Sequence, residues 1–276
     1  MKVNFFDKEI RNKFYAWLGG ISTTAGIGFL FIDIDAKYKA GVGICTVILL
    51  VILYLGIWLH YNRLQEITLK INNSSIEVKF GDIFSEDASL KAIAFNEYFD
   101  TLVDEKVIAS GSINGKYIEK LYSAGTSDLD SRISTDVHLA EKIVGENQER
   151  RVGKKMKYIL GTIFVDNDYL LTAFSRFDGE DKAYLEINDY INCLLHFWNE
   201  VDRVYAGRTL ALPVLGTGIT RFKGYENISD QELLELIIWT FKVSRIKFTY
   251  PSKVKIVVWS EKSDKINLFK LKDLEE

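Results

Sequence analysis

The chain has 276 residues, with 35 Lys and Arg against 38 Asp and Glu, a formal charge of −3. That balance excludes a nucleic-acid binder working through bulk positive charge, and 47% apolar with 13% aromatic residues excludes a disordered chain. Two cysteines, Cys45 and Cys193, and three scattered histidines, His60, His138 and His196, are too few for a disulfide framework or a cysteine-based zinc site. No metal or cofactor is therefore expected.

The apolar residues are unevenly spread. Residues 1–63 read as a membrane hairpin. Phe14 to Ile34 carries one charge, Asp33, at its far end, and Ala40 to Tyr61 carries none. About 20 apolar residues cross a hydrocarbon core, so spans are expected at about 14–34 and 40–61. The five residues between them force antiparallel helices. Gly19, Gly20, Ser22, Thr23, Thr24, Ala25, Gly26 and Gly28 make the first span a candidate self-association surface. Trp17, Trp58 and Tyr61 suit the interfaces. Lys2, Lys8, Arg11, Lys13, Arg63 and Lys70 outside the hairpin outnumber Lys37 and Lys39 in its loop, which places both termini in the cytoplasm and the chain in the inner membrane.

Residues 64–74 read as a neck, and 75–276 as one α/β domain. Strands are expected at Ser75–Phe84, Leu90–Phe95, Lys157–Val165, Tyr169–Phe177, Thr209–Pro213 and Val254–Ser260. Helical periodicity is clearest at Lys182–Tyr205 and Ser229–Lys247, with shorter helices at Gly115–Tyr122 and Asp136–Val144. Strands interleaved with helices imply a mixed or parallel sheet covered by helices, with ligands at the strand C-terminal ends.

Three loops at such ends carry the chemistry. Gly81-Asp82-Ile83-Phe84 puts a carboxylate where an exocyclic amine can donate to it. Ile93–Asp100 ends a strand on Asn96, a donor and an acceptor, and Ser110–Ile118 then runs through small residues into a helix whose first N–H groups suit an anion. Ala211–Phe222 contains Leu215-Gly216-Thr217-Gly218-Ile219, whose glycines let backbone approach a phosphate. Arg221 stands where the dinucleotide fingerprint needs its third glycine, and no Gly-Lys-Ser/Thr occurs, so neither a Rossmann nor a Walker site is present. The basic run Arg150, Arg151, Lys154, Lys155 and Lys157 reads as a solvated connection.

That ordered set resembles a macro domain over residues 75 to 262: a three-layer α/β fold, its mixed, mostly parallel sheet held between helices. The resemblance implies that Asp82 and Ile83 contact adenine, with Trp259 on the same side. It places Asn96 on the distal ribose, and Ser112, Ile113, Asn114 and Gly115 with Gly216, Thr217, Gly218 and Ile219 on the diphosphate. Leu215 and Arg221 flank that second grip, and Phe222 packs on ribose. Glu97, with Asp100 and Asp104, is a candidate holder of a cationic or imidazole-bearing appendage. The usual V-N-A-A-N is here Phe95-Asn96-Glu97-Tyr98-Phe99, so the second Asn is missing, and Ser-Ile-Asn-Gly replaces a triple-glycine run. Both departures argue against hydrolysis and leave binding intact.

Two spans ahead of such a domain are similar to the membrane effectors of type II Thoeris anti-phage defence. That likeness implies a receptor, not an enzyme. It binds an ADP-ribose-derived signal of the histidine–ADP-ribose type made by a TIR-domain partner, self-associates, and damages the lipid bilayer. The alternative is a membrane-anchored ADP-ribosyl hydrolase using the same pocket.

Overall fold

The computed structural model describes residues 3–32, 34–180, 182–218 and 220–275. Asp33, the expected end charge of the first span, lies outside them. Two long helices come first, α1 (Lys8–Phe29) and α2 (Ala36–Asn62). Each starts earlier than its expected span because an aspartate caps it: Asp7 accepts from Glu9 N–H and Asp35 from Lys37 N–H. The first helix also stops at Phe29 rather than Ile34. At about 1.5 Å per residue, the 27 residues of α2 extend about 40 Å, and its most apolar stretch has no buried residue. Among the described residues it is the one helix long and apolar enough to cross a membrane. The first helix falls short because Lys8, Glu9, Arg11 and Lys13 occupy its start and glycines and hydroxyl residues its middle. Its Thr23 and Thr24 hydroxyls turn back onto the Gly19 and Gly20 carbonyls, at 2.8 and 3.0 Å. The N-terminal segment is sewn to the end of α2 through Trp58 Nε1 to Val3 O, Tyr54 hydroxyl to Phe5 O, and Val3 N–H to Asn62 Oδ1. The N-terminus and the α/β domain therefore meet the same end of α2.

The domain follows as β1 (Glu66–Ile71), β2 (Ser74–Gly81), β3 (Leu90–Asn96), α3 (Ile113–Leu121), α4 (Ser127–Thr135), α5 (Val137–Ala140), β4 (Ile143–Glu146), β5 (Met156–Tyr158), β6 (Ile163–Asp166), β7 (Tyr169–Phe177), β8 (Ala183–Glu186), α6 (Ile187–Val204), β9 (Leu210–Pro213), β10 (Arg221–Lys223), α7 (Asp230–Ser244) and β11 (Val254–Trp259). The main sheet runs β1-β2-β11-β9-β3-β7-β8-β10, with β6 beside β7. Its five central strands, β2, β11, β9, β3 and β7, are parallel. Antiparallel pairs β1–β2, β6–β7 and β7–β8 make it mixed.

Both sheet faces are covered. One core packs α6 and α7 through Tyr190, Phe197, Trp198, Ile237 and Phe241; the other packs α3 and α4 through Tyr117, Ile118, Leu129 and Ile133. Burying the apolar stripe of each helix on a sheet already apolar on both sides is what selects three layers.

Several elements differ from expectation. The neck is largely the edge strand β1, whose alternate residues Ile67, Leu69 and Ile71 are buried. The expected strand Lys157–Val165 is two strands, separated by a turn in which Gly161 takes φ +89°. A Cβ there would lie 2.4 Å from the Cys193 carbonyl oxygen. The expected helix from Lys182 begins with β8, whose period-2 burial precedes α6. The basic run is folded in only in part: Arg151 and Lys155 are exposed, as expected of a solvated connection, but Arg150 and Lys154 are not. Arg150 is buried with its guanidinium 2.7 Å from Asp100, and Lys154 donates to the Phe99 carbonyl at 2.7 Å and pairs with Asp130 at 2.6 Å.

Candidate nucleotide site

The strands β2, β3, β9 and β11 end around one cleft of about 380 Å³. Gly81 and Asp82 close β2, Asn96 closes β3, Pro213 leads out of β9 and Trp259 ends β11; all line the cleft. Parallel strands put their C-terminal ends on one edge, and the loops leaving them meet there.

Asp82 caps a short 3₁₀ turn, accepting from Phe84 N–H at 3.0 Å. Its carboxylate keeps capacity for a further donor. Ile83 and Phe84 complete that wall, and Trp259 stands beside it, in register with Gly81 across the β2–β11 pair.

At the next strand end, β3 and β7 shift register between Phe95 and Asn96, a bulge that turns the chain away from the sheet. The Asn96 carboxamide holds the turn that follows. Its oxygen accepts from Tyr98 and Asp100 N–H, at 3.0 and 3.2 Å, and its nitrogen donates to Asp100 Oδ2 at 2.8 Å. An amide has two acceptor sites and two N–H groups; three of these four are spent within the loop. Asn96 therefore lines the cleft mainly as a brace, with one N–H left to offer.

Two further walls are the start of α3 and the turn after β9. Ser112 caps α3, its Oγ accepting from Gly115 N–H at 3.1 Å. Ile113 and Asn114 open the helix on the cleft wall, and their N–H groups belong to a helix N-terminus, which favours an anion. Across the cleft, Leu215, Gly216, Thr217 and Gly218 form the second wall. Gly216 takes φ +91°, a conformation open to glycine, and a Cβ there would sit 2.9 Å from the Phe222 ring. The turn is buttressed below by the Tyr190 hydroxyl, which donates to the Leu215 carbonyl at 2.9 Å.

Four of the residues expected in the site lie elsewhere. Glu97 points away into the domain. Burial pushes its carboxyl up, opposed by Lys157 at 3.9 Å, the Phe177 N–H at 3.3 Å and Arg176 at 3.7 Å. Strand alternation explains this, since the residue after Asn96 faces the opposite way. Gly115 is packed under the loop before α3, its N–H already used by Ser112. Phe222 is core, 5.3 Å from the Tyr190 ring, because it lies on β10 beneath the glycine turn. Arg221 and Phe222 face a separate depression of about 490 Å³ on the other side of that turn. Ile219 lies outside the described residues.

Two cations in the cleft escaped the sequence reading, Lys116 and Lys262. Lys116 stands over the Trp259 ring at 4.7 Å. Its position in the first turn of α3 was the available signal. Lys262 has none, because it reaches the cleft from a 3₁₀ turn that no periodicity marks. Among the described residues no group of three His, Cys, Asp or Glu is placed to hold a metal ion.

A family model described as "Thoeris protein ThsA, Macro domain" matches residues 76–259. The Thoeris protein ThsA of Bacillus amyloliquefaciens (strain Y2) is 38% identical over 273 residues, covering 98% of this chain and 91% of that protein. Among solved structures, the Oceanobacillus iheyensis macrodomain with MES bound superposes at a TM-score of 0.50 and 14% identity, covering 76% of this chain and 96% of that one. A mutant of the same macrodomain with ADPR gives 0.50 at 13% identity, over 76% and 98%. At such identity these two speak to the fold.

Proposed function

The chain belongs to the Thoeris ThsA family, and from that membership we propose that it is a membrane-anchored effector of anti-phage defence that binds an ADP-ribose-type nucleotide without consuming it. The observation that carries this reading is the convergence of two turns, Ser112–Asn114 and Leu215–Gly218, on one cleft. A helix N-terminus on one side and a glycine-bearing turn on the other suit a diphosphate. In this reading adenine is taken by Asp82 and Ile83 beside Trp259, and the distal ribose by Asn96; all four residues line the cleft. The cleft falls in the size range of small-molecule sites, roughly 300–1,000 Å³.

Binding without hydrolysis is the reading favoured at Asn96. Three of its four hydrogen-bonding positions brace its own loop, leaving little with which to orient an attacking water. The signal is proposed to come from a TIR-domain partner and to be of the histidine–ADP-ribose type. On the membrane side, α2 is the proposed anchor, with α1 as a second, weaker pass or as the surface through which copies meet. The N-terminus and domain are placed in the cytoplasm by the positive-inside count, and both meet the same end of α2. A ligand with higher affinity for an assembled state shifts the chain toward it, and confinement to a bilayer raises the effective concentration for assembly. Damage to the membrane then follows from gathering many anchors.

Calorimetry of the full chain in detergent micelles against ADP-ribose tests the pocket. Gly218 is exposed with nothing within 4 Å of an added Cβ, so Gly218→Glu should fold normally and abolish binding by placing a carboxylate where the diphosphate must lie. Undiminished ADP-ribose binding by that variant would refute the site assignment. Release of ADP-ribose from an ester substrate, with turnover, would refute the non-catalytic reading.

A further inference from the structure

Lys262 is one of the two cleft cations, with Lys116, to which the nucleotide reading assigns no role. It lies in the 3₁₀ turn Ser260–Lys265 that follows β11. Its ammonium donates to the carbonyl oxygen of Thr217, on the glycine turn. It also stands 3.2 Å from Oδ2 of Asp230, the first residue of α7. That oxygen is buried and accepts no hydrogen bond from a described residue. Lys262 thus ties the phosphate-facing turn to the start of α7 while itself lining the cleft.

The same stretch of chain reaches the membrane helix. Asn267 N–H donates to Gln231 Oε1 at 2.8 Å, and Lys270 reaches Glu235 at 3.0 Å, so the segment is held along α7. Phe269 is then buried against the end of α2, its ring centroid 3.8 Å from that of Tyr61, in a small cluster with Val3 and Ile10. Residues 260–274 therefore touch the nucleotide cleft at one end and α2 at the other.

We propose that Lys262 is the residue that reads the ligand's diphosphate charge, exchanging Thr217 and Asp230 for phosphate oxygen and so shifting residues 260–274 against Tyr61 of α2. The inference rests on the nucleotide reading above and adds to it a specificity-determining residue and a direction of coupling. A carbonyl is a neutral acceptor, and a diphosphate offers several charged oxygens to the same ammonium. The exchange costs Asp230 its ion pair with Lys262, a loss offset in part because a carboxylate at the first position of a helix is favoured by the helix N-terminus. Coupling requires only that the ligand prefer the arrangement in which Lys262 has let go.

Hydrogen exchange of the full chain in detergent micelles, with ADP-ribose, ADP or adenosine at saturation, tests this. ADP-ribose and ADP should both change exchange in residues 260–274 and in the last turn of α2. Adenosine, which lacks phosphate, should change only the adenine end of the cleft. Lys262→Gln should bind ADP-ribose about tenfold more weakly, as expected for losing one charge-assisted contact, and at saturation should leave 260–274 at its unliganded rate. Lys262→Arg, which keeps the charge, should restore both. A wild-type response confined to the cleft loops, an equal response to adenosine, or a full response in Lys262→Gln would overturn the inference while leaving the nucleotide site standing. Failure of the wild-type chain to bind ADP-ribose at all would overturn both. Should Lys262→Gln not fold, the comparison of ADP with adenosine on the wild-type chain decides.

Discussion

Gly115→Ala separates a packing glycine from a ligand-binding one. In the first turn of α3, an added Cβ would lie 2.3 Å from the Ala109 carbonyl oxygen, 2.8 Å from that of Ser110 and 2.9 Å from Ser110 Cα. All three neighbours are backbone, so no side chain can swing aside. Ordinary contact distance requires the Ala109–Ser112 loop to retreat by about 1 Å, and overpacking of this kind costs about 1–3 kcal/mol. Alanine gains about 1 kcal/mol over glycine in helix propensity, so the net loss is expected at up to about 2 kcal/mol. For a domain of this size that corresponds to a fall of up to roughly 8 °C in Tm. Ala109, Gly111 and Ser112 line the cleft, so the retreat should also weaken ADP-ribose binding by about tenfold, or about 1.4 kcal/mol. Thermal unfolding and calorimetry of the full chain measure both. Gly111→Ala is the control: it lines the same cleft and has nothing within 4 Å of its added Cβ, so its stability should be unchanged. A Gly115→Ala variant as stable and as tightly binding as wild type would refute the close approach of loop and helix.

The remaining predictions concern buried charge and the anchor. Asp166 is fully buried; burial opposes its ionisation, but Tyr117, Tyr122 and Arg132 outweigh that and hold its carboxyl below 3.8. Its contribution is therefore complete above that value and lost as pH falls through the folded one. Asp166→Asn should cost about 2–3 kcal/mol at neutral pH and flatten the acid limb of a stability–pH curve. Glu97 has the opposite sign. Burial holds its carboxyl above 4.5, so the folded state loses stability as pH climbs from 4.5 through the folded value, and Glu97→Gln should remove that slope in urea titrations across this range. Leu49→Arg places a charge midway along α2, where insertion costs about 2.5–3.5 kcal/mol; the protein should shift from the membrane to the soluble or aggregated fraction on sedimentation.

Much of the architecture was legible along the chain. Ala40–Tyr61 announces α2 by composition alone, since a charge-free run of that length has no place in a solvated domain. The order of strand ends at Asp82, Asn96 and Gly216 marks the macro domain, because a parallel sheet delivers successive loops to one edge. Strands such as Tyr169–Phe177 were visible because both sheet faces are apolar. Shorter ones, β1, β8 and β10, were not: a strand of three to six residues at or next to the sheet edge takes its pairing from its neighbours rather than from its own pattern.

The site was legible as a set of loops and not as a set of contacts. Periodicity reports which face an element buries, but a loop's neighbours come from distant segments brought together by the sheet. That is why Glu97 and Phe222 were expected in the cleft and are held in the interior, by Lys157 and Arg176 in one case and Tyr190 in the other. It is equally why Lys262, some forty residues beyond the glycine turn, reaches its carbonyl unannounced. Composition determined that this chain carries an apolar helix and a layered α/β domain. The crossing of β9 and β11 in the sheet, which sets two far-apart strand ends side by side, decided which charges face the cleft.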